Sequence, residues 1–158
     1  MNIPFVDLKS QYNSIKEEID SAIATVISQT AFIGGAHLKN FEEAFAKFCT
    51  AKYCVGVANG TDALYIALKT IGIGHDDEVI TVANSFIATS EAITMTGAKV
   101  VFVDINPSTY NIDTNKIEEK ITPKTKAIIP VHLYGQPADL DQRKGCSCFL
   151  PPLVNSDE

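Results

Sequence analysis

Tryptophan is absent from the 158 residues, and arginine occurs once, at Arg143. That scarcity argues against an arginine fork gripping a carboxylate or phosphate anywhere in residues 1–142. There is no run of basic residues, and the net charge is −6. Both features argue against a nucleic-acid surface. No apolar run approaches the length that crosses a bilayer, so no membrane partner is expected. Met1 is followed by Asn2, Ile3 and Pro4, with neither the basic start nor the apolar stretch of a secretory signal. The cysteines, Cys49, Cys54, Cys146 and Cys148, lack the paired C-x-x-C spacing of a zinc site, and no metal site is expected. They read as thiols of a cytoplasmic protein, with Cys49 and Cys54 packed in the core. Internal repeats and low-complexity linkers are also missing.

What is present is ordinary for a globular domain: 46% hydrophobic and 20% charged residues, in a chain long enough for one real core. Apolar residues at spacings of three and four predict helices over residues 10–28 and 37–49. The first carries Tyr12, Ile15, Ile19, Ile23, Val26 and Ile27 on one stripe; the second carries Leu38, Phe41, Phe45 and Phe48. Gly34 and Gly35 between them mark a turn or a close backbone approach. Four strand-like runs follow, at residues 53–58, 78–82, 99–104 and 127–133. Helical patterns over 61–71 and 85–96 join the first three. A short helix over 115–121, capped by Asp113 or Thr114, precedes the fourth. Strands nearly continuous in Val and Ile, alternating with helices, predict an α/β fold with a mostly parallel sheet buried on both faces. Pro130 removes a ladder donor inside the fourth run, so an unpaired stretch or bulge is expected there. From Gln142 onward the helical and strand periods vanish, and residues 142–158 are expected to be poorly ordered.

Ligands of open α/β sheets bind beyond the carboxyl ends of the strands. Around residues 58–64 a β-branched run stops in Asn59-Gly60-Thr61-Asp62, and a helical pattern starts at once. Two readings fit. Asn, Thr and Asp are ordinary capping residues. Equally, a strand, a glycine turn and a helix N-terminus hold anions, because the first N–H groups lack partners and the helix dipole favours negative charge. Polar, aromatic and glycine residues also gather after the other strands, and that convergence raises the phosphate reading above the cap. Phe86, just past the second strand, fits either a wall for a flat ligand ring or one more core residue. Asp104 reads as a cap on its own turn. His132 could be a base, but a histidine on a buried strand more often satisfies a backbone group.

The ordered series Phe32-Ile33-Gly34-Gly35, Phe41-Glu42, residues 57–64 (VANGTDAL), Gly74 through Ile80, Phe86-Ile87-Ala88-Thr89, Phe102-Val103-Asp104 and residues 130–139 (PVHLYGQPAD) resembles the DegT/StrS-type sugar aminotransferases. The resemblance covers residues 3 to about 141. It implies part of the large domain of the type I aminotransferase fold, cut short, with 142–158 as a tail foreign to the family. It implies pyridoxal phosphate as cofactor, with its phosphate on Gly60, Thr61 and the Asp62 backbone and its ring on Phe86. It implies transfer of an amino group, usually from glutamate, to a nucleotide-linked keto-sugar in amino-sugar and surface-polysaccharide biosynthesis. It also implies a homodimer with active sites at the subunit boundary, to which Phe32 and Gly34 contribute, as substrate-side or dimer-boundary residues.

Two departures follow from the same resemblance. The family's later strand, carrying the Asp that pairs with the pyridine nitrogen, has no match, nor does the lysine that anchors the cofactor as a Schiff base. Lys144, the last lysine, falls well before that position. No catalytic residue is therefore assigned, and the chain is expected to be inactive alone. In that fold later strands also sit beside the first one, so the strand at 53–58 is expected to lose its neighbours and to favour aggregation. Two other readings remain open: a phosphate- or nucleotide-binding α/β module, weakened by the absence of G-x-G-x-x-G and G-x-x-x-x-G-K-[ST], and a non-catalytic regulatory fragment.

Overall fold

The structure, a computed structural model, describes residues 6–139. The tail from Gln142, with Arg143, Lys144, Cys146 and Cys148, lies outside the described residues. The chain divides into two compact units, Met1–Gly56 and Val57–Glu158.

The described part of the first unit is helical. Residues 10–28, expected as one helix, form two: α1 (Leu8–Ser14) and α2 (Lys16–Ser28). The break falls at Ile15, whose φ of −125° and ψ of 17° lie outside the helical range. Asp7 starts α1 by accepting from the Ser10 N–H at 3.0 Å. Tyr12 and Lys16 bridge the break by converging on the Asp20 carboxylate. α3 spans Ala36–Phe48. Its entry uses Gly34 and Gly35 at φ 59° and 84°, backbone that favours glycine. Glu42 of α3 accepts from the Gly56 N–H at 2.8 Å. A Cβ at Gly56 would lie 2.7 Å from the end of the Leu38 side chain, which would have to shift to admit it. Cys49 and Cys54 are partly exposed rather than core residues, because the helical unit buries few side chains.

The second unit holds α4 (Gly60–Thr70), β1 (Glu78–Val82), α5 (Ala88–Met95), β2 (Lys99–Val103) and β3 (Thr125–Ile128). The sheet order is β2-β1-β3, and both pairings are parallel. Central β1 is buried throughout, as a strand covered on both faces must be. Edge strand β2 is not: Lys99 and Phe102 are exposed. One face of the sheet packs Val79, Ala127 and Ile129 against Leu64 and Leu68 of α4 and Ala92 and Ile93 of α5. The other packs Ile80, Val82 and Ile128 against Ile112, Ile117, Val131 and Ala138. The alternation of β1 side chains between the two clusters is the period of two of a strand.

Four expectations change here. Residues 53–58 form no strand; among the described residues no strand pairs with them. The last strand starts at Thr125 and stops at Ile128, short of the apolar run. The Ile129 N–H makes the last ladder bond, to the Ile80 carbonyl at 2.8 Å, and Pro130 has no N–H to continue it. The helix expected over 115–121 is two short 3₁₀ turns, Thr114–Lys116 and Glu118–Lys120. Asp113 caps the first by accepting from the Asn115 N–H at 3.1 Å. Helix α5 starts at Ala88, three residues later than its pattern.

At the amino edge of the sheet, Glu78 accepts from Thr122 Oγ1 at 2.6 Å and from Lys99 Nζ at 2.9 Å. The Thr122 hydroxyl, then the Lys99 ammonium, hold its carboxyl below the ordinary value of 4.5. A carboxylate depressed on folding adds stability above its unfolded pKa and loses it as pH falls through the folded one. The urea midpoint of the dilute chain is therefore expected to fall on acidification below about pH 4.5. Glu78→Gln should lower the midpoint at neutral pH and flatten part of that fall; an unchanged pH profile would count against the role given to Glu78.

Candidate functional site

α4 runs into β1 through a short turn at residues 71–77, so it lies antiparallel to the strand. Its N-terminus therefore stands at the carboxyl edge of the sheet. The connection out of β1 leads to β2 on one side, whereas β3 pairs on the other. The strand order reverses between β1 and β3, the position where such sheets bind ligands.

At the head of α4, Asn59 is extended, with φ −165° and ψ 176°, and its side-chain oxygen accepts from the Asp62 N–H at 2.8 Å. Its amide donates back to the Asp62 carboxylate at 3.1 Å. The cap is thus real. It leaves donors over: among the described residues, the Gly60 and Thr61 N–H groups and the Thr61 hydroxyl have no acceptor. Two free N–H groups and a hydroxyl at the positive end of a helix are a donor set that suits a phosphate ester. The Asp62 N–H already has its partner, so a phosphate reaching it must displace Asn59.

Phe86 is 61% exposed and does not cover α5 as a core residue would. Asp104 caps its own turn, accepting from the Ile105 N–H at 2.8 Å, with Lys116 at 3.5 Å. The Ile105 bond first, and the lysine second, hold its carboxyl below the ordinary range. His132 has the backbone partner expected of it: Nδ1 accepts from the Ala138 N–H at 2.9 Å. The second unit therefore places Gly60, Thr61, Asp62 and Phe86 at one edge of one sheet. Phe32 and Gly34 belong to the first unit, where Phe32 is 67% exposed and a Cβ on Gly34 would meet open space. Among the described residues, no group of three or more His, Cys, Asp or Glu is placed to hold a metal ion. No helix there is long and apolar enough to cross a membrane.

Asn84 and Asn111 escape sequence reasoning. Asn84 Nδ2 donates to the Tyr110 carbonyl at 2.9 Å. Asn111 is buried and bonds three backbone groups of the loop after β3. Asparagine in a polar stretch is unremarked by periodicity, and its partners are 22 to 26 residues away.

Residues 13–146 match the DegT/DnrJ/EryC1/StrS aminotransferase family. The chain belongs to that family. The chain is 50% identical over 139 residues to the UDP-2-acetamido-2-deoxy-3-oxo-D-glucuronate aminotransferase of Pseudomonas aeruginosa, covering 88% of itself and 39% of that enzyme. It is 49% identical over 141 residues to the pleiotropic regulatory protein of Geobacillus stearothermophilus, covering 89% of itself and 38% of that protein. Its fold matches the crystal structure of NtdA from Bacillus subtilis with bound cofactor PMP at a TM-score of 0.82 and 40% identity, over 87% of this chain and 32% of that one. The chain thus spans less than two-fifths of the length of these DegT/StrS-type relatives. The parallel sheet with flanking helices is part of the aminotransferase fold, as the resemblance implied.

Proposed function

We propose that this chain provides the phosphate cradle and the ring wall of a pyridoxal-phosphate sugar aminotransferase. The observation that carries the reading is the head of α4, where the Gly60 and Thr61 N–H groups and the Thr61 hydroxyl stand without acceptors beside a satisfied cap. In this reading those three donors hold the cofactor phosphate, and Phe86 lies against the ring. The Asp62 N–H joins them when Asn59 yields it. When bound, pyridoxal phosphate supplies the electron sink for bond changes at an amino acid. Support for the group comes from a structural relative that holds PMP, and for the acceptor from a relative named for a UDP-linked oxo-sugar acid. The reading extends to an amino donor, glutamate, and to a nucleotide-linked keto-sugar acceptor. It places the longer enzyme in the cytoplasm as a homodimer, with Phe32 and Gly34 at the subunit boundary.

Borohydride reduction in the presence of pyridoxal phosphate tests the division of labour. The longer enzyme is expected to fix the cofactor at one lysine, and this chain at none, while this chain still binds pyridoxamine 5'-phosphate reversibly. A single-site adduct on this chain, or no reversible binding, would overturn the proposal. The name of the Geobacillus relative favours a second reading, a non-catalytic regulatory fragment. Absence of pyridoxamine 5'-phosphate binding would favour it.

A further inference from the structure

The loops after β1, β2 and β3 are stitched together by two asparagine side chains. Asn84, two residues before Phe86, donates to the Tyr110 carbonyl at 2.9 Å. The next residue, Asn111, is 3% exposed. Its Nδ2 donates to the Gln136 carbonyl at 2.9 Å and the Pro137 carbonyl at 3.1 Å. Its Oδ1 accepts from the Leu133 N–H at 3.1 Å. The turn that carries Asn111 is itself fixed: Ile105 and Ile112 pair antiparallel, and the Asn106 N–H donates to the Asn111 carbonyl at 2.9 Å.

The loop gripped by Asn111 has no sheet ladder, because Pro130 ended it. Yet it holds Tyr134 at φ 50° and 81% exposed. A bulky residue in left-handed backbone persists only where its surroundings over-determine it. Here the bonds from Asn111 pin the residue before Tyr134 and the two beyond Gly135. Burying an asparagine is favourable only when its polar atoms are satisfied, and this one is satisfied solely by that loop and its own turn.

We infer that Asn111 is a positioning residue of the site: relayed through Tyr110 to Asn84, it sets the spacing between the Phe86 loop and the Tyr134 loop. The ligand whose fit it governs is a flat heteroaromatic ring attached to a phosphate held at α4. The inference rests on the pyridoxal-phosphate reading above. The α4 donors sit on a different element, so altered loop spacing weakens ring binding and leaves phosphate binding alone.

The test compares two probes, inorganic phosphate and pyridoxamine 5'-phosphate, on the unchanged chain and on Asn111→Asp, Asn111→Leu and Asn84→Ala, with far-ultraviolet circular dichroism to confirm folding. Asp keeps the shape and the acceptor but loses the donors; Asn84→Ala cuts the relay at an exposed position, and keeps the test alive if the Asn111 variants do not fold. Each variant is expected to bind pyridoxamine 5'-phosphate about tenfold more weakly, the loss of roughly one to two hydrogen bonds' worth of order. Inorganic phosphate affinity should stay within about twofold. Equal weakening of both probes, the result of a merely structural role, would overturn the inference, as would no weakening of either. If the unchanged chain binds phosphate but shows no gain for the ringed probe, the cofactor reading falls, and this inference with it.

Discussion

Sedimented at tens of micromolar, the chain is expected to run as associated species well above its 17.1 kDa monomer mass. The cause is apolar surface that its described residues leave uncovered. α2 buries no residue, and its stripe of Ile19, Ile23 and Ile27 is exposed. Ile33 is 96%, Phe48 85% and Val55 75% exposed. Single exposed apolar residues are normal, but the largest contiguous patch on a monomer is usually about 300–600 Å². The apolar stripe along the thirteen-residue α2 offers other chains apolar area, and residues 53–58, which no strand pairs with among the described residues, offer an extended backbone edge. Replacing Ile19, Ile23 and Val55 together with lysine is expected to shift sedimentation towards the monomer, because like charges on these surfaces oppose contact. A soluble monomer of the unchanged chain that unfolds in one cooperative step at the same concentration would count against this account.

The elements legible in the sequence are those whose determinants are local. β1 begins and ends where its apolar run does, since Glu78 and Val82 bound a strand buried on both faces. α4 is readable from its cap and its helical pattern, and it buries Leu64 and Leu68. Residues 53–58 show the opposite case. Their composition is that of a strand, but a strand exists only through its partner, and the partner is not encoded nearby. The late apolar run was misplaced for a related reason: ladder pairing with β1 begins at Thr125, while Pro130 ends it early. Ile15 sits on a helical stripe that continues through the break, so periodicity could not reveal a backbone turn between two helices. In the site, Gly60 and Thr61 were legible because a helix N-terminus is a local motif. Asn111 was not, because its role lies in three bonds to a loop more than twenty residues away.

Thr61→Asp is expected to weaken pyridoxamine 5'-phosphate binding by about two orders of magnitude while leaving the unfolding midpoint unchanged or slightly raised. The two effects have opposite signs for one reason. A carboxylate in the first turn of α4 interacts well with the positive end of the helix, typically by about 0.3–1 kcal/mol. It does so by occupying the field that the phosphate would use. Unit charges about 4 Å apart repel by about 4 kcal/mol at an effective dielectric near 20. Thr61 is only half-buried, so solvent reduces that figure, and about 2–3 kcal/mol remains. Thr61→Val separates charge from hydrogen bonding: it removes only the hydroxyl donor and should cost about tenfold. High salt should narrow the gap between the Asp variant and the unchanged chain, since screening acts on charge repulsion, and should leave the Val deficit in place. Equal affinity of the Asp variant and the unchanged chain would mean that the phosphate is held elsewhere. A fall in both stability and affinity would mean that Thr61 serves the fold. Only lost affinity with retained stability identifies the free donors at the head of α4 as a binding site rather than surplus left by the Asn59 cap.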